Sequence, residues 1–127
     1  MEIRRGSVWW WNCPEHRRAH IQEGTRPVVV VSNDACNQSS GVVTVVPFTT
    51  RIKKAYPQQV PVIFGDGVSI ALADQITSVP VDELHRYICD LHTFQMDMID
   101  TAIAVQLGFV DIQDRPYFCS QKRLEEE

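Results

Sequence analysis

Cys13, His16 and His20 have the types and close spacing of soft-metal ligands. On any helix His16 and His20 would share a face, one turn apart. A structural zinc site needs a fourth ligand, for which Cys36 is the candidate. The same segment also carries Arg17 and Arg18, and a basic loop facing nucleic acid accounts for it without a metal. No metal and no cofactor are therefore expected. The formal net charge is −4, but the charge is unevenly placed. Residues 1–54 hold eight Arg/Lys against four Asp/Glu, whereas residues 55–127 hold four against twelve. Phosphate affinity follows local basic surface rather than net charge. Arg4, Arg5, Arg17, Arg18, Arg26, Arg51, Lys53 and Lys54 supply such a surface if the fold gathers them. Otherwise they are solvated charges around a β domain. No P-loop, dinucleotide-binding glycine pattern or nucleophile elbow is present.

The elements that must position these residues are mostly strands. Ser7-Val-Trp-Trp-Trp11 is rich in β-formers, and alternation sends Val8 and Trp10 to one face and Trp9 and Trp11 to the other. One aromatic face is expected in the core and the other against a partner, a loop or RNA. Cys13 to Thr25 reads as a long polar loop. Pro27-Val-Val-Val-Val-Ser32 has the pattern of a strand buried on both faces. Asn33-Asp34 should end it, and Gly41 to Phe48 reads as the next strand, with Pro47 at its end or on an edge. Gln58 to Phe64 and Val68 to Leu72 form a hairpin across Gly65-Asp-Gly67, with Pro61 on an edge. Gln75 to Val79 is a further strand, Pro80 to Leu84 a helical turn, and Tyr87 to Leu91 either helix or strand.

Thr93 to Leu107 reads as a helix, with Thr93 as its cap and Gly108 at its C-terminal end. Its apolar residues spread over most of the circumference, more than one stripe needs. A second surface, naturally that of a dimer partner, is expected to cover the remainder. This order of elements predicts a mainly β fold with attached helices (α+β), built on a small, strongly bent antiparallel sheet or barrel. Residues 1–119 read as one domain and 120–127 as a disordered tail. No run of about 18 or more apolar residues suggests a spanning helix. No export signal is visible, so Cys13, Cys36, Cys89 and Cys119 are expected to be reduced, in a cytoplasmic protein.

Three separated segments resemble the MazF/PemK family of toxin endoribonucleases. They are Arg5-Gly-Ser-Val-Trp9, Gly24-Thr-Arg-Pro-Val-Val-Val-Val-Ser-Asn33, and the stretch from Val45-Val-Pro-Phe-Thr-Thr50 to Ile70-Ala-Leu-Ala-Asp-Gln-Ile-Thr-Ser-Val79. The resemblance runs over roughly Arg4 to Leu107. It implies an SH3-like small barrel of the MazF/CcdB type with a long C-terminal helix, acting as a homodimer. It also implies metal-independent cleavage of single-stranded RNA by 2′-hydroxyl attack, leaving 2′,3′-cyclic phosphate and 5′-hydroxyl ends. Arg26 is then the catalytic arginine, whose planar fork fits phosphate oxygens. Its alternative is a surface ion pair. Thr49 is the catalytic threonine, with a turn that caps backbone amides as the alternative. Gly24, Thr25, Thr50, Arg51, Gln75, Arg17 and Arg18 are the expected RNA-binding residues, although Gln75 could equally satisfy loop amides.

The chain departs from several relatives at two places. Ile21 stands where they carry a glutamate three residues before the motif glycine, and Thr25 where some carry histidine. The general base is then His16 or His20, or Arg26 and Thr49 suffice with solvent as proton carrier. The resemblance further implies an acidic antitoxin protein that competes for the RNA groove. Two competing readings are a CcdB-like toxin that poisons DNA gyrase and a degenerate relative that only binds RNA.

Overall fold

Residues 28–31 are four consecutive valines, and all four are buried. A strand's side chains alternate, so such a run must have a core on each side. In the computed structural model, which describes residues 2–14, 24–51 and 56–111, it does. Val28 and Val30 join Trp9, Trp11, Cys13, Val43, Val45 and Val79 in one core. Val29 and Val31 join Val8, Val46, Phe48, Val60, Val62, Met96 and Ile99 in the other.

The strands are β1 (Ser7–Cys13), β2 (Gly24–Val30), β3 (Val42–Thr49), β4 (Gln59–Phe64), β5 (Gly67–Leu72), β6 (Thr77–Pro80) and β7 (Leu84–Asp90). The helices are α1 (Asp34–Ser39) and α2 (Thr93–Gln106). The main strand order is β4-β5-β3-β2-β1-β7, with β6 also paired to β3. All the strand pairs are antiparallel. On one edge β3 meets β2. Along the other it pairs first with β6, over Val42 to Val45, and then with β5, at Phe48 and Thr49. Pro47 lies inside β3, at this change of neighbour, and does not end it. A residue without an N–H costs least where the ladder is already interrupted.

The fold class is as expected, but the barrel is not closed. β6 and β7 lie at opposite ends of a curled five-strand run, joined by a 3-10 turn over Val81–Glu83. Three residues can span only about 10 Å, so the two strands start close together. Yet no β6–β7 ladder forms among the described residues. Pro80, the last residue of β6, has no N–H to give one. β4 is the free edge at the opposite end and carries Pro61, where such a residue is tolerated.

Several boundaries moved. β2 begins at Gly24, earlier than Pro27, because Cys13 and Asn12 pair with Gly24 and Thr25. Gln75 belongs to a 3-10 turn over Ala73–Gln75, and the strand after it starts at Thr77. The segment read as helix or strand is β7, drawn into the sheet by pairing with β1. The cap of α2 is His92 and not Thr93: its backbone N–H donates to Gln95 Oε1 at 2.9 Å. Gly108, at φ +82°, closes the helix as expected, and its N–H donates to the Val105 carbonyl. The tail at 120–127, Cys119 and the end of the expected domain lie outside the described residues.

Candidate functional site

The site follows from the register of β2 against β3. Val30, Val29 and Val28 face Val45, Val46 and Pro47 in turn. Continued two residues further, that register sets Arg26 opposite Thr49. Alternation puts Arg26 on the side of β2 that carries Val28 and Val30, and Thr49 on the side of β3 that carries Val43 and Val45. Those are the same face of the sheet. Two residues 23 positions apart in sequence are thus brought to one place by strand pairing.

At that place is a cleft of about 350 Å³, lined by Thr25, Arg26, Pro27, Phe48, Thr49, Thr50, Arg51 and Ser69. Phe48 anchors its floor, fully buried and with its ring 4.7 Å from that of Phe64. The Phe48–Ala71 and Thr49–Ile70 pairs fix the end of β3 against β5. Pro27 holds φ near the extended range in the middle of β2, directly after Arg26.

Arg26 is half-buried, across from Trp11 of β1. Burial draws water from its guanidinium and lowers the pKa from its ordinary value, while the neighbouring Cys13 opposes that shift. An arginine starts so high that it keeps its charge at any working pH. Thr49 Oγ1 accepts a hydrogen bond from the Arg51 backbone N–H at 3.1 Å. This is the amide-capping turn weighed against a catalytic role, and it does not preclude that role. A hydroxyl that accepts still has its own proton to donate. The turn orients Thr49 Oγ1 and leaves its O–H available.

Of the residues expected to bind RNA, Thr25, Thr50 and Arg51 line this cleft with Arg26 and Thr49. Gly24 opens β2, opposite Cys13. Gln75 is not among the lining residues. It sits in the turn after β5, with its Oε1 buried and without a hydrogen-bond partner among the described residues. Arg17, Arg18, His16, His20, Lys53 and Lys54 lie outside the described residues. Of the metal candidates, Cys13 is buried and Cys36 exposed. Among the described residues no group of three or more His, Cys, Asp or Glu is placed to hold a metal ion. Ser69 was not singled out in the sequence, where it is one hydroxyl in a hairpin strand. Only the β3–β5 register brings it beside Thr49. A second cleft, of about 430 Å³, shares Thr25 and is otherwise lined by Trp10, His85 and Arg86.

Among the described residues no helix is long and apolar enough to cross a membrane. The chain is 34% identical to endoribonuclease MazF9 of Mycobacterium tuberculosis over 114 residues, which cover 83% of this chain and 96% of the relative. MazF of Deinococcus radiodurans superposes with a TM-score of 0.74 at 26% identity, covering 85% of this chain and 98% of that one. A mycobacterial endoribonuclease solved in complex with its cognate antitoxin gives a TM-score of 0.67 at 29% identity, over 85% of this chain and 96% of that one. Residues 4–107 match the family described as PemK-like, MazF-like toxins of type II toxin–antitoxin systems, and the chain belongs to that family.

Proposed function

We propose that this chain is an endoribonuclease toxin that cuts single-stranded RNA by metal-independent attack of a ribose 2′-hydroxyl on the adjacent phosphate. The observation that carries this reading is the meeting of Arg26 and Thr49 at one cleft, from two strands and on one face. The endoribonuclease names of two similar proteins support it. In the reaction an O2′–P bond forms as the P–O5′ bond breaks. The 2′-hydroxyl loses a proton and the departing O5′ gains one, so no co-reactant is consumed. The products carry a 2′,3′-cyclic phosphate and a free 5′-hydroxyl.

Negative charge accumulates on the non-bridging oxygens as the fifth bond to phosphorus forms. Donors fixed in place beforehand stabilise that charge without reorganising. The guanidinium of Arg26 offers two parallel N–H groups to two such oxygens. Its partial burial strengthens that attraction, because less water screens it. The hydroxyl of Thr49, oriented by the Arg51 amide, donates to a phosphate oxygen or aligns the attacking 2′-hydroxyl. Thr25, Thr50 and Arg51 hold the strand of RNA in the cleft. The proton acceptor is His16, His20 or solvent.

As a member of a toxin–antitoxin family, the chain is proposed to have a small acidic antitoxin as partner. The active form is proposed to be a cytoplasmic homodimer, each chain one domain over residues 1–119. The deciding experiment incubates purified protein with end-labelled single-stranded RNA in EDTA and maps both product ends. Cleavage with cyclic-phosphate and 5′-hydroxyl ends is expected. Loss of cleavage on chelation, restored by magnesium or zinc, would overturn the mechanism. Intact RNA under every condition would overturn the nuclease reading.

A further inference from the structure

Three tryptophans stand in a row on β1, and the interior accounts for two of them. Trp9 and Trp11 are 6% and 2% exposed. Their indole N–H groups donate to Ser7 Oγ at 2.8 Å and Glu83 Oε1 at 2.9 Å. Trp10 points to the other side of the strand and is only half-buried. Its indole N–H has no partner among the described residues. Its cross-strand neighbours are Pro27 on β2 and Arg86 on β7.

Arg86 and His85 are exposed, and neither side chain makes a salt bridge or hydrogen bond among the described residues. Arg4 and Arg5, by contrast, are tied to Asp90 and Asp100. Trp10, His85 and Arg86 line the second cleft together with Thr25. Thr25 also lines the cleft of Arg26 and Thr49, so the two recesses adjoin.

We infer that the second cleft holds a nucleotide flanking the scissile phosphate of the same RNA strand, with its base against Trp10 and its phosphate at Arg86. This rests on the nuclease reading above. Any base presents a π face to an indole, so stacking there tolerates sequence. The guanidinium supplies the charge and fork that a phosphodiester needs. An apolar peptide would use the indole and leave two basic side chains without a function. A single-stranded polynucleotide uses the indole and the guanidinium together.

The test takes the full chain and a single-stranded RNA of mixed sequence, in a natural form and in a 2′-O-methyl form that cannot be attacked. Wild-type protein should cleave the first and bind the second. Failure of both would remove the nuclease reading, and the flanking site with it. Trp10→Ala should weaken binding of the methylated RNA about tenfold, and Trp10→Phe should recover most of the loss. Arg86→Gln should weaken it severalfold and make binding less steeply dependent on salt. With natural RNA both should raise KM far more than they lower kcat, because they touch a flanking nucleotide and not the reacting atoms. Arg86 is exposed, so its variant keeps the test open even if Trp10→Ala folds poorly. Wild-type affinity in both Trp10→Ala and Arg86→Gln, from an enzyme that cleaves, overturns the inference. Unchanged RNA affinity with a lost dimer would assign the cleft to a second copy of the chain.

Discussion

Arg26 and Thr49 share a cleft, but their substitutions should fail in different ways. On the proposed mechanism Arg26→Ala removes the charge offered to the phosphorane, and a rate loss of about 100-fold or more is expected. Arg26→Lys restores charge without the fork and should recover only part of the rate. Thr49→Ser keeps the oriented hydroxyl and should retain much activity, whereas Thr49→Ala should be slow. Equal loss in the two Thr49 variants would show that the methyl group, and so packing, is what matters. Single-turnover cleavage rates measure all four. The described cysteines differ as well. Burial first, and then the charge of Asp90, raise the pKa of Cys89 and so favour its thiol form. The folded state therefore gains from protonated Cys89 below its unfolded pKa and loses that gain as pH rises through the higher folded value. At neutral pH, iodoacetamide should label exposed Cys36 well before Cys89, as read by peptide mass spectrometry. The reverse order would contradict the burial assigned to Cys89.

Among the elements, β3 and α2 carry the most consequence. β3 serves as a shared edge for β6 and then β5, and that transfer delivers Thr49 to the cleft. Helix α2 buries Met96, Ile99 and Ala102 over the hairpin side of the sheet. Its first turn is fixed by one buried side chain. Gln95 Oε1 accepts from the His92 N–H, and Gln95 Nε2 donates to the Ile63 carbonyl at 3.0 Å. Gln95→Ala loses both bonds and leaves the Ile63 carbonyl without that donor. A destabilisation of about 1–3 kcal/mol is expected in urea unfolding. Gln95→Glu keeps the acceptor toward His92 but not the donor toward Ile63, so it should not restore wild-type stability. Gly6 holds the other end of this region, at φ +91°, with its N–H donating to the Val30 carbonyl and its carbonyl accepting from Leu91 N–H. A Cβ there would meet Met96 at an ordinary 3.7 Å, so the backbone angle, not space, is what requires glycine.

For the whole molecule, the surface left over by α2 sets the expectation. Phe94 is 62% exposed and Phe109, just beyond the helix, 79%. Leu107 is exposed too. Phe94 lies in the first turn of α2, and Leu107 and Phe109 just past its last. Apolar side chains thus stay exposed at both ends of the helix, and a partner surface laid along it would cover them. Light scattering at micromolar concentration should therefore return twice the chain mass. A monomer mass would mean that the breadth of this helix's apolar surface has another cause.

Strand period, turns and the late helix were legible in the sequence because they are local. Four consecutive valines require two cores wherever the strand lies, and Gly65-Asp-Gly67 turns the chain whatever surrounds it. Arg26 and Thr49 were named as candidates from the motifs that contain them, and both line one cleft. What no local pattern fixed was pairing. The segment from Tyr87 to Leu91 could be helix or strand until β1 paired with Tyr87, Cys89 and Asp90. Ser69 and Trp10 gained their surroundings only from the registers of β3 with β5 and of β1 with β7. Whether the curled sheet closed depended on two edge strands, one of which ends in a proline without an N–H. Periodicity and turn preference belong to a few adjacent residues, whereas register and closure are settled by contacts between residues far apart in the chain. Tertiary packing alone decides those.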